Sequence, residues 1–205
     1  MEGGCMRETI AVIGEGITEY YYIQSIKDCV MIKPTPLKPK NSGIKELETC
    51  SKKCIDSGYS KVFCLIDMDN KAHDGVPEHE ANRKKYLELK KKYHNKEHKH
   101  AGGKTYVKML ESYPSSEMFF YYYFKYSTAS FGNNELKHIL NEKTGYDTSE
   151  KFLKANSLHN LFCCKEGDLE RAIENACKSV VKRDVENPHA GFSEIGELFD
   201  YLVLK

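Results

Sequence analysis

Apolar residues fall in short unbroken runs through the first third of the chain, each closed by a glycine or an acidic residue. Thr9 to Ile13 (Thr-Ile-Ala-Val-Ile) runs into Gly14, and Lys61 to Ile66 (Lys-Val-Phe-Cys-Leu-Ile) runs into Asp67. Runs this short, β-rich and without polar alternation predict strands buried on both faces, as in a parallel sheet. Between them, Thr18 can cap a helix over about 19–30. Ile44, Leu47, Cys50, Cys54 and Ile55 stand near helical spacing and predict a helix over 44–57, stopped by Gly58. Met31 to Leu37 reads as a further strand, which Pro34 and Pro36 push to a sheet edge. The first seventy residues thus alternate β-α-(β)-α-β, the grammar of a parallel α/β sheet.

Beyond that the pattern changes. A loop is expected over 38–43 and another over 70–80. A strongly basic helix follows over 81–93, and then a strand over 106–110 with a turn at Ser112-Tyr113-Pro114. Residues 118–126 carry seven aromatic rings, and composition does not choose between helix and strand there. Helices are expected over 136–141 and 168–183, the latter with Ile173, Ala176, Cys177 and Val180 on one face. A final amphipathic helix is expected over 192–204.

At 205 residues the chain fits one domain, or one with a sizeable appendage. The net charge of +1 says nothing about partners, so the distribution of charge matters more. Eight scattered cysteines, an opening too polar for a secretory leader and no apolar run of membrane-spanning length lead us to expect a reduced cytoplasmic protein without membrane contact.

The informative charges are acidic. Glu15 and Glu19 lie in Ile13-Gly14-Glu15-Gly16-Ile17-Thr18-Glu19, directly after the first strand. Asp67 and Asp69 lie in Leu65-Ile66-Asp67-Met68-Asp69-Asn70, after the strongest one. On a strand, residues i and i+2 share a face, so this pair is expected to point one way. Parallel strands end at one sheet edge, which would bring three or four carboxylates together. Such a cluster repels itself unless cations intervene, so it points to hard divalent ions, Mg²⁺ or Mn²⁺. Glu19 could instead serve its helix dipole, and Glu117 could serve a helix cap with Ser115 or Ser116.

A basic stretch includes Arg83, Lys84, Lys85, Lys90, Lys91, Lys92, Lys96, Lys99, Lys104 and Lys108. It reads either as a solvated face or as a phosphate-backbone surface, for which Lys84, Lys85, Lys91, Lys92, Lys96, Lys99 and Lys104 are the candidates. His94, His98 and His100 sit among lysines with no well-spaced cysteines, a poor zinc site. No P-loop and no Gly-x-Ser-x-Gly elbow is present.

A strand, Glu-Gly-x-x-Glu, and a later strand ending in Asp-x-Asp resemble a TOPRIM domain, the fold of topoisomerases, bacterial primases and overcoming-lysogenization-defect nucleases. The order of motifs is more specifically similar to the RloB family. Its matching pieces are Ile13 to Tyr22, Val62 to Asp69, Glu111-Ser112-Tyr113-Pro114-Ser115-Ser116-Glu117-Met118-Phe119, and Asn187-Pro188-x-Ala190 before a helix. The chain departs from the family at Met68, where arginine is usual, and at Ser116, where phenylalanine is usual. It also has Tyr146-Asp147-Thr148 where a tyrosine-x-lysine element is expected; the nearest lysines there are Lys151 and Lys154. The resemblance implies a TOPRIM core over about 7–130, a helical C-terminal region over about 131–205, a helix through the aromatic run, and a site role for Glu117. It also implies anti-phage defence beside an ATPase partner of the ABC/SMC type.

The expectation is therefore a Mg²⁺-dependent nuclease acting on DNA or RNA, tRNA included. Glu15, Asp67, Asp69 and Glu117 would be catalytic, and these with Glu19 would be metal ligands. The alternative is a subunit that binds nucleic acid and docks on an ATPase without cutting; persistence of the carboxylates argues against it. Nucleotidyl transfer as in primases lacks a zinc module or polymerase appendage.

Overall fold

The computed structural model describes residues 8–40, 43–71, 75–183, 187 and 189–205. The first strand, β1 (Ile10–Gly14), is followed by α1 (Ile17–Ile26), β2 (Thr35–Leu37), α2 (Ile44–Asp56) and β3 (Lys61–Asp67). After a 3₁₀ turn at Asp69–Lys71 come α3 (Pro77–Tyr93), the hairpin β4 (Lys96–His100) and β5 (Gly103–Tyr113), and α4 (Glu117–Tyr122). The remainder is α5 (Asn133–Thr144), α6 (Glu150–Ala155), α7 (Leu158–Cys163), α8 (Leu169–Val181), β6 (Phe192–Ser193), a 3₁₀ turn at Glu194–Leu198 and α9 (Phe199–Leu202).

The strands form one mixed sheet in the order β2-β1-β3-β5-β4, with the short β6 also paired to β5. β2, β1, β3 and β5 are parallel, and β4 and β6 run antiparallel to β5. The period of two sorts the inner strands onto two cores. Ile10, Val12, Phe63, Leu65 and Leu110 face α1, α4 and the C-terminal helices. Ala11, Ile13, Val62, Cys64, Ile66, Val107 and Met109 face α2 and α3. Burial on both sides is why these strands read as continuous apolar runs.

The chain moves from β1 outward to β2, then returns over β1 to β3 on its other side. With crossovers of one hand, this reversal puts α1 and α2 on opposite faces, and a crevice opens between the carboxyl ends of β1 and β3. Glu15 follows β1 and Asp67 closes β3, so both acidic motifs flank the crevice.

Several expectations need correction. The helix after β1 starts at Ile17, with Gly16 rather than Thr18 at its N-cap, and ends at Ile26. The Glu19 carboxylate accepts the Gly16 N–H at 2.9 Å and takes over the capping task. Residues 96–100 form a strand where only a charged stretch was read. Its exposed polar residues carry no apolar signal, and pairing with β5 alone makes it a strand. α3 begins at Pro77, inside the expected loop; proline suits a first helical turn, where no N–H is needed. α6 and α7 were not anticipated. The expected helix over 192–204 is a two-residue strand, a 3₁₀ turn and one α-turn, because Ser193 pairs with β5 and its hydroxyl accepts the Ile195 N–H. The family resemblance implies a helix through the whole aromatic run, 118–126; the helix covers Glu117–Tyr122 and is capped at Tyr123, so Phe124 and Tyr126 lie beyond it. Parts of the loops expected over 38–43 and 70–80 and Pro188 of the late motif lie outside the described residues.

The aromatic run forms the centre of the larger core. Phe120 is fully buried, with ring centroids 4.9 Å from Tyr22, 5.3 Å from Phe162 and 6.0 Å from Tyr146. Replacing Phe120 by alanine is expected to cost about 3–5 kcal/mol. Replacing the exposed Leu87 by alanine should cost within about 0.5 kcal/mol. Equilibrium urea unfolding of the two variants checks the contrast.

Candidate metal centre

Four carboxylates, Glu15, Glu19, Asp67 and Glu117, lie near enough at the ends of β1 and β3 for their charges to act on one another, and Asp67 is their hub. Its side chain is the last of β3, still in register with Ser112 of β5. Asp67 Oδ1 accepts the backbone N–H of Ser116 at 2.8 Å and its hydroxyl at 2.9 Å. Ser116, where the sequence resemblance leads one to expect phenylalanine, thus holds the hub. Burial first, then the charges of Glu19, Glu117 and Glu15, push the Asp67 carboxyl well above the usual carboxylate range. Glu19 is raised by burial and then by Glu117. Glu15 is raised by burial, against the lowering effect of Lys71, with Asp69 adding to the rise.

Gly14 makes the approach possible. A Cβ there would lie 2.4 Å from the Glu19 Cβ, so only glycine lets Glu19 fold back over the strand end. Glu117 opens α4 and is held on both oxygens. Ser115 Oγ donates to Oε2 at 2.7 Å, and the Tyr146 hydroxyl donates to Oε1 at 2.9 Å. Lys137 Nζ lies 3.8 Å from the same Oε1.

Asp69 stands apart from the strand face assigned to it. It opens the 3₁₀ turn rather than continuing β3, because the Met68 and Asp69 N–H groups donate to the Pro114 carbonyl and turn the chain. Its Oδ1 accepts the Asn70 N–H at 2.6 Å and its Oδ2 accepts Asn133 Nδ2 at 2.8 Å. It still contributes negative charge to Glu15.

Lys71 escaped the sequence reading. Its side chain is almost wholly buried, and Nζ donates to Glu15 Oε2 at 2.9 Å, the Asp67 carbonyl at 2.6 Å and Asn70 Oδ1 at 2.9 Å. Three donors meet three acceptors, so this ammonium is saturated and acts as an internal clamp. A lone lysine after Asp-x-Asp-Asn carries no sequence signal; only the 3₁₀ turn directs it inward. Tyr146, Ser116 and Asn133 were likewise missed as partners of the acids. In place of the expected tyrosine-x-lysine element, Tyr146 supplies its phenol to Glu117, while the nearby ammonium groups come from Lys71 and Lys137.

The donor set fits a hard divalent ion. Every candidate ligand is a carboxylate, and Glu15 Oε1 is buried with no hydrogen-bond partner among the described residues. Among the described residues, no three His, Cys, Asp or Glu side chains form a ready-made cage. The carboxylates are near enough to sense one another, yet most are engaged by Ser116, Tyr146, Gly16 or Lys71. An ion would draw them from these bonds.

The basic stretch does not line the crevice as one surface. Lys61 pairs in register with Tyr106 and Asp67 with Ser112, so the β4–β5 turn lies at the sheet end remote from Asp67. Lys96, Lys99 and Lys104 occupy that hairpin, where Lys104 pairs with Glu97 at 2.6 Å and Lys96 bonds the Lys91 carbonyl. Lys84, Lys85 and Lys91 are exposed on α3, and Lys92 pairs with Glu48 at 2.8 Å. The three histidines are separate: His94 Nδ1 accepts the Met109 N–H, and His100 Nδ1 accepts the Gly102 N–H.

No helix of the described residues is long and apolar enough to cross a membrane. A family model described as RloB-like protein matches residues 10–202. No curated protein and no solved structure matches the chain.

The raised carboxyls set a pH dependence. Unfolded Asp and Glu titrate near about 4, so above that pH the folded state retains protons that the unfolded chain has lost. Their contribution to stability is therefore greatest below about pH 4 and declines as pH rises through the raised folded values. Differential scanning fluorimetry in EDTA should show Asp67→Asn melting above the parent at pH 8, by several degrees, and close to it at pH 4.5. Each kcal/mol corresponds to about 2–4 °C for a chain of this size. Added Mg²⁺ should raise the parent's midpoint at pH 8 and leave Asp67→Asn unmoved. A variant that melts lower at pH 8 would show that repulsion does not govern the cluster.

Proposed function

The chain belongs to the RloB-like family, and from that premise we propose that it is a metal-dependent nuclease of TOPRIM type. The observation that carries the reading is the convergence of Glu15, Glu19, Asp67 and Glu117 at the ends of β1 and β3, with Asp67 sensing the other three. Mg²⁺ or Mn²⁺ bound there would supply Lewis-acid activation of water and of the scissile phosphate.

The chain's own residues prepare the site. Asp67, pinned by Ser116, and Glu15, with its one unpartnered oxygen, are the principal ligands, and Glu19 and Asp69 complete the negative wall. Glu117 accepts the Tyr146 phenol on one oxygen and the Ser115 hydroxyl on the other, which fixes it at the edge of the site. Lys71 neutralises part of the cluster and locks the Glu15 and Asp67 segments together, so the carboxylates stay poised rather than springing apart. Nucleic acid is the substrate class, tRNA included, and a role in anti-phage defence beside an ABC/SMC-type ATPase belongs to the same reading.

One observation favours a second role. A saturated internal ammonium already balances part of the charge. A subunit that binds nucleic acid without cutting, and docks on the ATPase, could keep the cluster for structure alone.

Purified protein incubated with labelled tRNA, single-stranded DNA and plasmid in Mg²⁺ or Mn²⁺ separates the roles. Asp67→Ala should slow cleavage by about a hundredfold or more, the scale of losing one preorganised electrostatic partner. Cleavage unchanged in Asp67→Ala would sink the metal-nuclease reading. No cleavage by the parent, even with a neighbour-encoded ATPase added, would favour the binding role.

A further inference from the structure

A cavity of about 250 Å³ is lined in part by Lys71. Lys71 and Met68 form the wall it shares with the carboxylates, while α3 supplies Arg83, Tyr86 and Lys90 and the end of β5 supplies Glu111 and Tyr113. Arg183, His189 and Phe192 close it from the C-terminal side. Next to an acidic centre, this lining is cationic: Lys71, Arg83, Lys90 and Arg183 stand against the single carboxylate of Glu111.

That carboxylate is already satisfied. Glu111 accepts the Tyr86 hydroxyl at 2.5 Å and a bond from Lys90, with Arg183 Nη1 at 3.5 Å, and its cationic partners and Tyr86 hold its carboxyl below the usual range despite burial. Arg183 places its Cζ 3.8 Å from the centroid of the Phe192 ring and, among the described residues, makes only long contacts with Glu111 and Glu194, at 3.5 and 3.8 Å. Most of its five donors remain for another partner. Arg83 is half-buried and has no hydrogen bond or ion pair among the described residues. The aromatic wall is the Tyr113–His189 pair, joined by a 2.7 Å bond between the Tyr113 hydroxyl and His189 Nδ1, with ring centroids 5.6 Å apart.

Two guanidinium groups beside an aromatic pair, its rings inclined at 54° so that each offers a face, match a phosphate attached to a base. The volume is at the small end of ligand pockets and does not admit a stacked duplex. We propose that this pocket takes one unstacked nucleotide of the substrate strand, its phosphate on Arg83 and Arg183 and its base against Tyr113 and His189. The proposal rests on the nucleic-acid reading above and sharpens it. A strand enters the carboxylate site only where a neighbouring base can leave the stack, which selects single-stranded segments, loops and ends over paired duplex.

The test is binding, kept separate from cleavage by EDTA. Fluorescence anisotropy with a 12-nucleotide single strand, the matching duplex and free AMP as competitor should show the single strand bound at least tenfold tighter than either. Arg83→Ala should weaken single-strand binding about tenfold, the loss of one charge-assisted contact. It should also lower the slope of log affinity against log salt by about 0.7. His189→Ala should weaken it about fivefold or more through lost stacking, and leave the salt slope alone. A 5-iodouridine strand should cross-link to Tyr113 or His189. Equal affinity for duplex, equal affinity for AMP, variants that bind like the parent, or cross-links confined to the β4–β5 hairpin would each overturn the proposal. Pocket-dependent binding without cleavage in Mg²⁺ would retain the pocket and remove the nuclease; no binding to any probe would remove the pocket.

Discussion

Mutual repulsion among buried carboxylates is the constraint on which the rest of this structure turns. Taking several acids out of water is costly, and placing them together raises the cost. The fold meets it with fixed donors: the Ser116 N–H and hydroxyl on Asp67, the Gly16 N–H on Glu19, the Tyr146 phenol on Glu117 and the Lys71 ammonium on Glu15. Each donor comes from a different element. The cluster therefore ties α1, α4, the segment after α5 and the 3₁₀ turn after β3 to the ends of two strands. Such an arrangement is a poor source of stability and a good way to hold charge ready for a cation.

The sheet explains why the acids meet at all. A parallel sheet that reverses its winding between β1 and β3 leaves its crevice at their carboxyl ends, and the sequence places Glu15 and Asp67 just there. This much was legible, because buried parallel strands advertise themselves as apolar runs. The edge position of β2 was also legible from Pro34 and Pro36, since proline removes a ladder donor. What was not legible depends on long-range partners. β4 has no apolar face and exists only by pairing with β5, and Phe192–Ser193 is a strand only because Ser112 and Tyr113 offer it an edge.

The same division runs through the site. Glu15 and Asp67 could be placed from local pattern because each stands at a strand end, and Glu19 because it lies in the first turn of the helix that follows. Asp69 could not, since the Pro114 carbonyl captures its N–H and ends the alternation one residue early. Lys71 was invisible for a related reason. A lysine in a polar loop is ordinarily solvated, and only three acceptors converging from Glu15, Asp67 and Asn70 make burial tolerable. The lysines that looked important by number are spread along α3 and the far hairpin, and several are spent on Glu48 and Glu97.

Lys71 also joins the acidic centre to the basic pocket, and their adjacency has a physical logic. A nucleic-acid strand brings one negative charge per phosphate, so a purely acidic crevice would repel it. Arg83 and Arg183, which line the same pocket as Lys71, offer the opposite potential within the reach of a neighbouring nucleotide. Were a strand bound as proposed, attraction at one phosphate would offset repulsion at the next, and a metal ion would complete the balance at the carboxylates. The wall between the two is a buried ammonium with every donor used, so it stays in place while substrate or ion arrives. On the nucleic-acid reading proposed above, positive pocket, fixed ammonium and negative crevice would form a graded field along one strand, and that gradient would set which phosphate faces Asp67.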